Sequence, residues 1–130
     1  MKKLALDTNA YSALEGGNAA LAHMVREASS IGLPIIVLGE LYFGFEHGSR
    51  KSWNTARLEK FVASIRVDVL YIDTGTARIF GEISTELKRL GRPIQQDDIW
   101  IAALCKQHGY TLATEDKGFE NIVGLDVAGF

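Results

Sequence analysis

Four acidic positions stand where short apolar runs give way to polar sequence. Asp7 ends LAL, Glu40 follows PIIVL, the Asp97-Asp98 pair precedes IWIAALC, and Asp116 follows YTLA in ATED. Acids so far apart in the chain can share a site only if the fold gathers them. Gathered within about 4–6 Å, carboxylates repel and raise one another's pKa unless a cation stands among them, and a divalent metal is the simplest resolution. Oxygen is the only donor type on offer, since the chain has one cysteine, and His23, His47 and His108 are scattered at spacings that suit no zinc site. The donor set therefore favours a hard ion, Mg2+ or Mn2+.

The elements that must position these acids are readable from periodicity. Apolar runs at 4–6, 34–38, 69–72, 110–113 and 125–127 are short and bounded by turn residues, as strands are. Between them lie helical patterns. In 76–90, Ile79, Ile83, Leu87 and Leu90 fall on one face, with Arg78, Glu82, Lys88 and Arg89 opposite. Weaker versions span 18–31 and 52–65, while 98–107 is apolar on nearly every side, as a helix packed inside the core would be. Alternating strands and helices predict a three-layer α/β/α domain over 1–130 with a central parallel sheet of about five strands. In such a sheet all carboxyl ends share one edge, where open α/β folds place their sites. Asp7, Glu40 and Asp116 each follow a strand. A crossover helix starting at Asp97-Asp98 brings its N-terminus to the same edge.

Each acid also has an ordinary explanation. Asp97 or Asp98 could cap the helix that follows, and Glu40 could favour the positive end of its own helix. Asp116 could serve turn chemistry in EDKG, and Asp7 with Thr8 and Asn9 could cap a helix from Ala10. These readings account for the acids singly, but not for their falling on one edge of one sheet.

Composition narrows the setting. With 130 residues, 47% of them hydrophobic, the chain can bury one core. Its 14 Lys+Arg against 16 Asp+Glu give no bulk pull toward polyanions. Asp7 interrupts the N-terminal apolar stretch too early for a signal peptide, no run reaches a membrane span, and a lone Cys105 suits a reducing compartment, so a cytoplasmic protein is expected.

In order along the chain, LALDTNAYSAL, VLGELYFG, QQDDIWIAAL and TLATEDKGFENIVGLDV resemble the PIN-domain ribonucleases, in particular the VapC-type toxins of toxin-antitoxin pairs. The resemblance implies an Mg2+- or Mn2+-dependent endoribonuclease whose acids would be Asp7, Glu40, Asp98 and Asp116, both metal ligands and catalytic residues. Asp98 is preferred to Asp97 because the family motif D-x-x-I-A is met by Asp98, Ile101 and Ala102. Thr114 matches the hydroxyl residue of T-x-D and Asn9 a polar residue behind the ligands, with Thr8 and Asn9 expected to orient Asp7. The resemblance further implies an RNA substrate, a homodimer and a cognate antitoxin, for which Tyr42, Phe43 and Phe45 could supply a docking surface. Arg50, Lys51, Arg89 and Arg92 are the candidates for phosphate contacts.

Rival classes fit less well. A haloacid-dehalogenase-type phosphatase needs a second Asp where Asn9 stands. A response-regulator receiver needs its phosphoacceptor after the third strand, where only Asp73 offers itself, and a Lys after a later one. A PIN-like module that binds RNA or protein without catalysis is the remaining alternative.

Overall fold

The computed structural model describes residues 2–130. The elements are β1 (Lys3–Leu6), α1 (Thr8–Glu15), α2 (Ala19–Glu27), β2 (Ser30–Pro34), α3 (Ile35–Glu46), α4 (Lys51–Val62), β3 (Val67–Leu70), α5 (Thr74–Leu90), α6 (Gln96–His108), β4 (Thr111–Ala113), a 3-10 turn (Lys117–Asn121) and β5 (Val127–Ala128). The five strands are ordered β3-β2-β1-β4-β5, and every neighbouring pair is parallel. This is the α/β sheet expected from the sequence. The chain winds outward from β1 in both directions, so the order reverses between β1 and β4. A doubly wound sheet leaves its crevice at that reversal, beyond the carboxyl ends.

The central strands are apolar because helices cover both faces. Leu4, Ala5 and Leu6 of β1 and Leu112 and Ala113 of β4 are all buried. Helix α6 is buried along Ile101, Ala102, Ala103, Leu104 and Cys105, as its all-round apolar sequence requires, with the Cys105 thiol free in the core. Against α6 packs α5, with Phe80 stacked on Trp100 at 4.1 Å. Asp73 begins α5 through a capping box with Thr76, and Gly91 ends it at φ 68°. That capping role, with Gln107 Nε2 also donating to Asp73 Oδ1 at 2.8 Å, gives Asp73 a structural purpose at the start of α5. Among the described residues no helix is long and apolar enough to cross a membrane.

Several expected boundaries move. The run 34–38 is not a strand: β2 ends at Pro34, and residues 35–38 open α3 with Val37 and Leu41 buried four apart. A short apolar run fits a buried helix as well as a buried strand, so periodicity alone did not separate them. Pro34 closes its strand rather than opening it and serves as the N-cap of α3, where a missing N–H costs nothing. The helix expected over 18–31 stops at Glu27, and Ile31 pairs within β2. The helix over 52–65 stops at Val62, leaving Ile65 99% exposed. Leu90, assigned to the core face of α5, is exposed at the helix end.

Candidate metal centre

The fold brings the four proposed acids to the β1/β4 reversal by four local routes. Asp7 follows β1 and is the N-cap of α1: its Oδ1 accepts from Ala10 N–H at 2.8 Å. Asp116 follows β4 and caps the 3-10 turn, its Oδ1 accepting from Gly118 N–H at 2.8 Å. Both ordinary explanations therefore hold, and each occupies one carboxylate oxygen. Asp98 is not the cap of α6; that residue is Gln95, whose side chain makes no capping bond, and Asp98 sits in the first turn. Glu40 does not follow a strand end. It lies near the middle of α3, beyond the first turn where the helix dipole would explain it, and its Oε1 accepts from Thr8 Oγ1 at 2.5 Å.

The orienting residues also differ from expectation. Thr8 holds Glu40, not Asp7, and Asn9 is exposed. Asp7 is fixed instead by Ala10 N–H and by Thr114, whose Oγ1 donates to Asp7 Oδ2 at 2.5 Å and accepts from Asp116 N–H at 2.9 Å. The side chains of Thr8 and Glu40, 32 residues apart, meet only through the path of α3.

Electrostatics shows the acids acting on one another. The Asp98 carboxyl is pushed up to about 6, first by burial and then by repulsion from Asp116, Glu40, Asp7 and Asp97. Burial also raises Asp7, against the lowering effect of Thr114 and Ala10, and Asp116 and Glu115 add to the rise. A recess of about 310 Å3 lined by Ile94, Gln95, Asp98, Asp116, Gly118 and Phe119 adjoins them. Among the described residues no three His, Cys, Asp or Glu side chains already form a cage for an ion. The carboxylates stand in interaction range of Asp98, with Asp116 at the exposed side of the cluster. The donor set, all oxygen and mutually repelling, fits a hard divalent cation. His23 on α2, His47 after α3 and His108 at the far end of α6 from Asp98 take no part.

The candidate phosphate contacts have local partners. Lys51 pairs with Glu46 at 2.7 Å, Arg89 pairs with Glu86, and Arg92 donates to Asn121 at 2.8 Å. Arg50 lies over the Trp53 ring at 4.3 Å.

The PIN domain model matches residues 4–125. The chain belongs to the PIN-domain family, in its VapC branch. It is 36% identical over 91 residues to the tRNA(fMet)-specific endonuclease VapC of Shigella flexneri, covering 69% of this chain and 67% of that one. With Ribonuclease VapC2 of Haemophilus influenzae it shares 30% identity over 128 residues, 96% of each chain. Among solved structures, the DNA-bound VapBC of Salmonella typhimurium superimposes with a TM-score of 0.86 at 30% identity, over 99% of this chain and 98% of that one. VapBC-1 of nontypeable Haemophilus influenzae gives 0.86 at 26%, over 97% and 96%. In this VapC-type chain the acids of all four quoted motifs lie on one edge of the sheet.

Proposed function

We propose that this VapC-type chain is a cytoplasmic endoribonuclease, the toxin of a toxin-antitoxin pair, and that Asp7, Glu40, Asp98 and Asp116 hold Mg2+ or Mn2+ and carry the chemistry. The observation that supports this best is the gathering of charge at the β1/β4 crevice, where Asp98 feels Asp116, Glu40 and Asp7 together. Acids from β1, α3 and the turn after β4 that all repel the Asp98 carboxylate fit a site shaped for a cation. The names of the relatives, ribonuclease and endonuclease, support the same reaction class.

When bound, a divalent cation supplies positive charge that activates water and stabilises negative charge developing on a phosphodiester. The chain's own residues set the geometry. Thr114 and the Ala10 amide lock Asp7 in one orientation, and Thr8 holds Glu40. Asp98, where its carboxylate is not fully engaged by the cation, would accept the proton of the attacking water. Asp116 can share that role. The VapBC complexes among the structural neighbours support an antitoxin partner; the homodimer is part of this proposal. Exposed Tyr42 and Phe43 on α3, at 39% and 69%, offer apolar area for either, whereas Phe45 is half-buried.

The test is incubation of the purified chain with RNA, initiator tRNA first because one relative is named for it. Cleavage is expected with Mg2+ or Mn2+ and none in EDTA. Full cleavage in EDTA removes the metal, and no cleavage of any RNA removes the enzyme in favour of a binding module.

A further inference from the structure

One turn along α1 from Asp7, a second recess of about 210 Å3 lies between α1, α3 and α4, lined by Tyr11, Ser12, Glu15, Phe45, Asn54 and Arg57. It is smaller than the roughly 300–1,000 Å3 of sites for drug-sized ligands, which leaves room for one flat ring. Tyr11 is 3% exposed and its ring meets Phe61 edge-on at 5.3 Å, yet its buried phenol oxygen has no hydrogen-bond partner. Folds rarely leave such a group unpaired, and an unpaired one calls for an explanation. The phenol stands in electrostatic range of Glu15 and Arg57, which pair with each other. Burial and then Glu15 push it up to about 12, so it remains a donor at neutral pH. Beside the recess, the Arg50 and Arg57 guanidiniums lie over the Trp53 ring at 4.3 and 4.9 Å.

Readers of single-stranded RNA take unstacked bases one at a time, place them against aromatic or guanidinium planes, and hydrogen-bond their edges. The parts are present here: Phe45 as a wall, Tyr11, Ser12 and Asn54 as edge-reading groups, and Arg50, Trp53 and Arg57 for stacking and phosphate. Tyr11 follows Asp7 by four residues, about 6 Å along the helix axis, and Phe45 lies on α3 beyond Glu40. The recess thus adjoins the elements that carry two of the acids, α1 after Asp7 and α3 with Glu40.

We infer that the α1/α3/α4 recess is a nucleobase subsite, in which Tyr11 Oη and the Asn54 amide read the edge of one unstacked base of an RNA strand engaged at the acidic cluster. The inference rests on the ribonuclease reading above. It adds a specificity site to the chemistry.

Equilibrium binding of oligo-adenosine, oligo-uridine and oligo-cytidine hexamers in EDTA tests it, with wild type, Tyr11→Phe and Asn54→Ala. Wild type is expected to prefer one base by about 3–10-fold, the scale of one hydrogen bond, and both variants to fall below about twofold. Tyr11→Phe deletes an unpaired buried hydroxyl, so its melting temperature should hold or rise, and a lost preference cannot then be put down to unfolding. Equal binding of all three hexamers by wild type, as for a recess that takes a partner protein's side chain, or an unchanged preference in both variants, overturns the subsite. Cleavage of the same hexamers with Mg2+ is read in parallel. Preference without cleavage keeps the subsite and removes the nuclease reading; cleavage without preference does the reverse.

Discussion

Thr114 Oγ1 donates to Asp7 Oδ2 at 2.5 Å while accepting from the Asp116 amide at 2.9 Å, so one hydroxyl ties together the acids at the ends of two adjacent strands. The bond to Asp7 is buried and the one from Asp116 half-buried. Thr114→Val keeps the shape but strips Asp7 Oδ2 of its side-chain donor and the Asp116 amide of its acceptor. Leaving buried groups unpaired costs about 1–3 kcal/mol, so the melting temperature should drop by several degrees and cleavage should fall with it. Thr114→Ser should restore most of both. Thermal melts and a cleavage assay on the pair decide this, and a Val variant as stable and active as wild type would show the bridge to be incidental.

The same cluster fixes a pH dependence. Asp98 ionises near 6 in the folded chain against an ordinary value of 3.8. Between those values the folded state holds a proton that the unfolded state has released, so this group's contribution to stability falls as pH rises through that window. Metal-free protein should therefore gain stability from Asp98 on acidification from pH 7 to about pH 5. The shift alone would be worth about 3 kcal/mol, but the carboxyl is partly exposed, and screening reduces this to about 1 kcal/mol. Melts of wild type and Asp98→Asn across this range isolate the effect: the variant should show a flatter dependence, and parallel curves would refute it.

Much of this was legible in the sequence, for identifiable reasons. Asp7 and Asp116 follow strands β1 and β4, whose apolar runs are bounded by polar residues, and α6 announces itself by being apolar all round. Glu40 was placed on the right edge for the wrong reason. PIIVL looked like a strand because a buried helix turn carries the same residues, and only the path of α3 brings Glu40 to Thr8. Neither the Thr8 to Glu40 bond nor the Tyr11 recess could be read beforehand, since each depends on how α1 packs against α3 and α4. No pattern within one element encodes that packing.

Calcium offers a separate test of the proposed ion. It takes oxygen ligands at 2.3–2.6 Å with loose geometry, where Mg2+ demands an octahedron at about 2.0–2.1 Å. Ca2+ should therefore bind the same acids, raise the melting temperature of the chain, and inhibit RNA cleavage in competition with Mg2+. Cleavage assays at fixed Mg2+ with rising Ca2+ measure it. Indifference to Ca2+ in both stability and activity would argue that these four carboxylates do not form one oxygen site.

The last prediction separates two roles of Asp98. It lies in the first turn of α6, where its charge favours the helix dipole, although Gln95 and not Asp98 is the cap. If the dipole were its whole purpose, Asp98→Asn would lose a few tenths of a kcal/mol and leave any response to Mg2+ intact. Its neighbours argue otherwise, since Asp116, Glu40 and Asp7 all repel its charge. Removing that charge relieves the repulsion, so the metal-free variant should melt at or above the wild-type temperature. It also weakens the cation site, so added Mg2+ should stabilise the variant less, because ligand stabilisation follows affinity. Cleavage should fall by orders of magnitude. Melts of both proteins with and without Mg2+, with one cleavage assay, discriminate the roles: a lower metal-free melting temperature with an unchanged Mg2+ response would return Asp98 to the helix dipole alone.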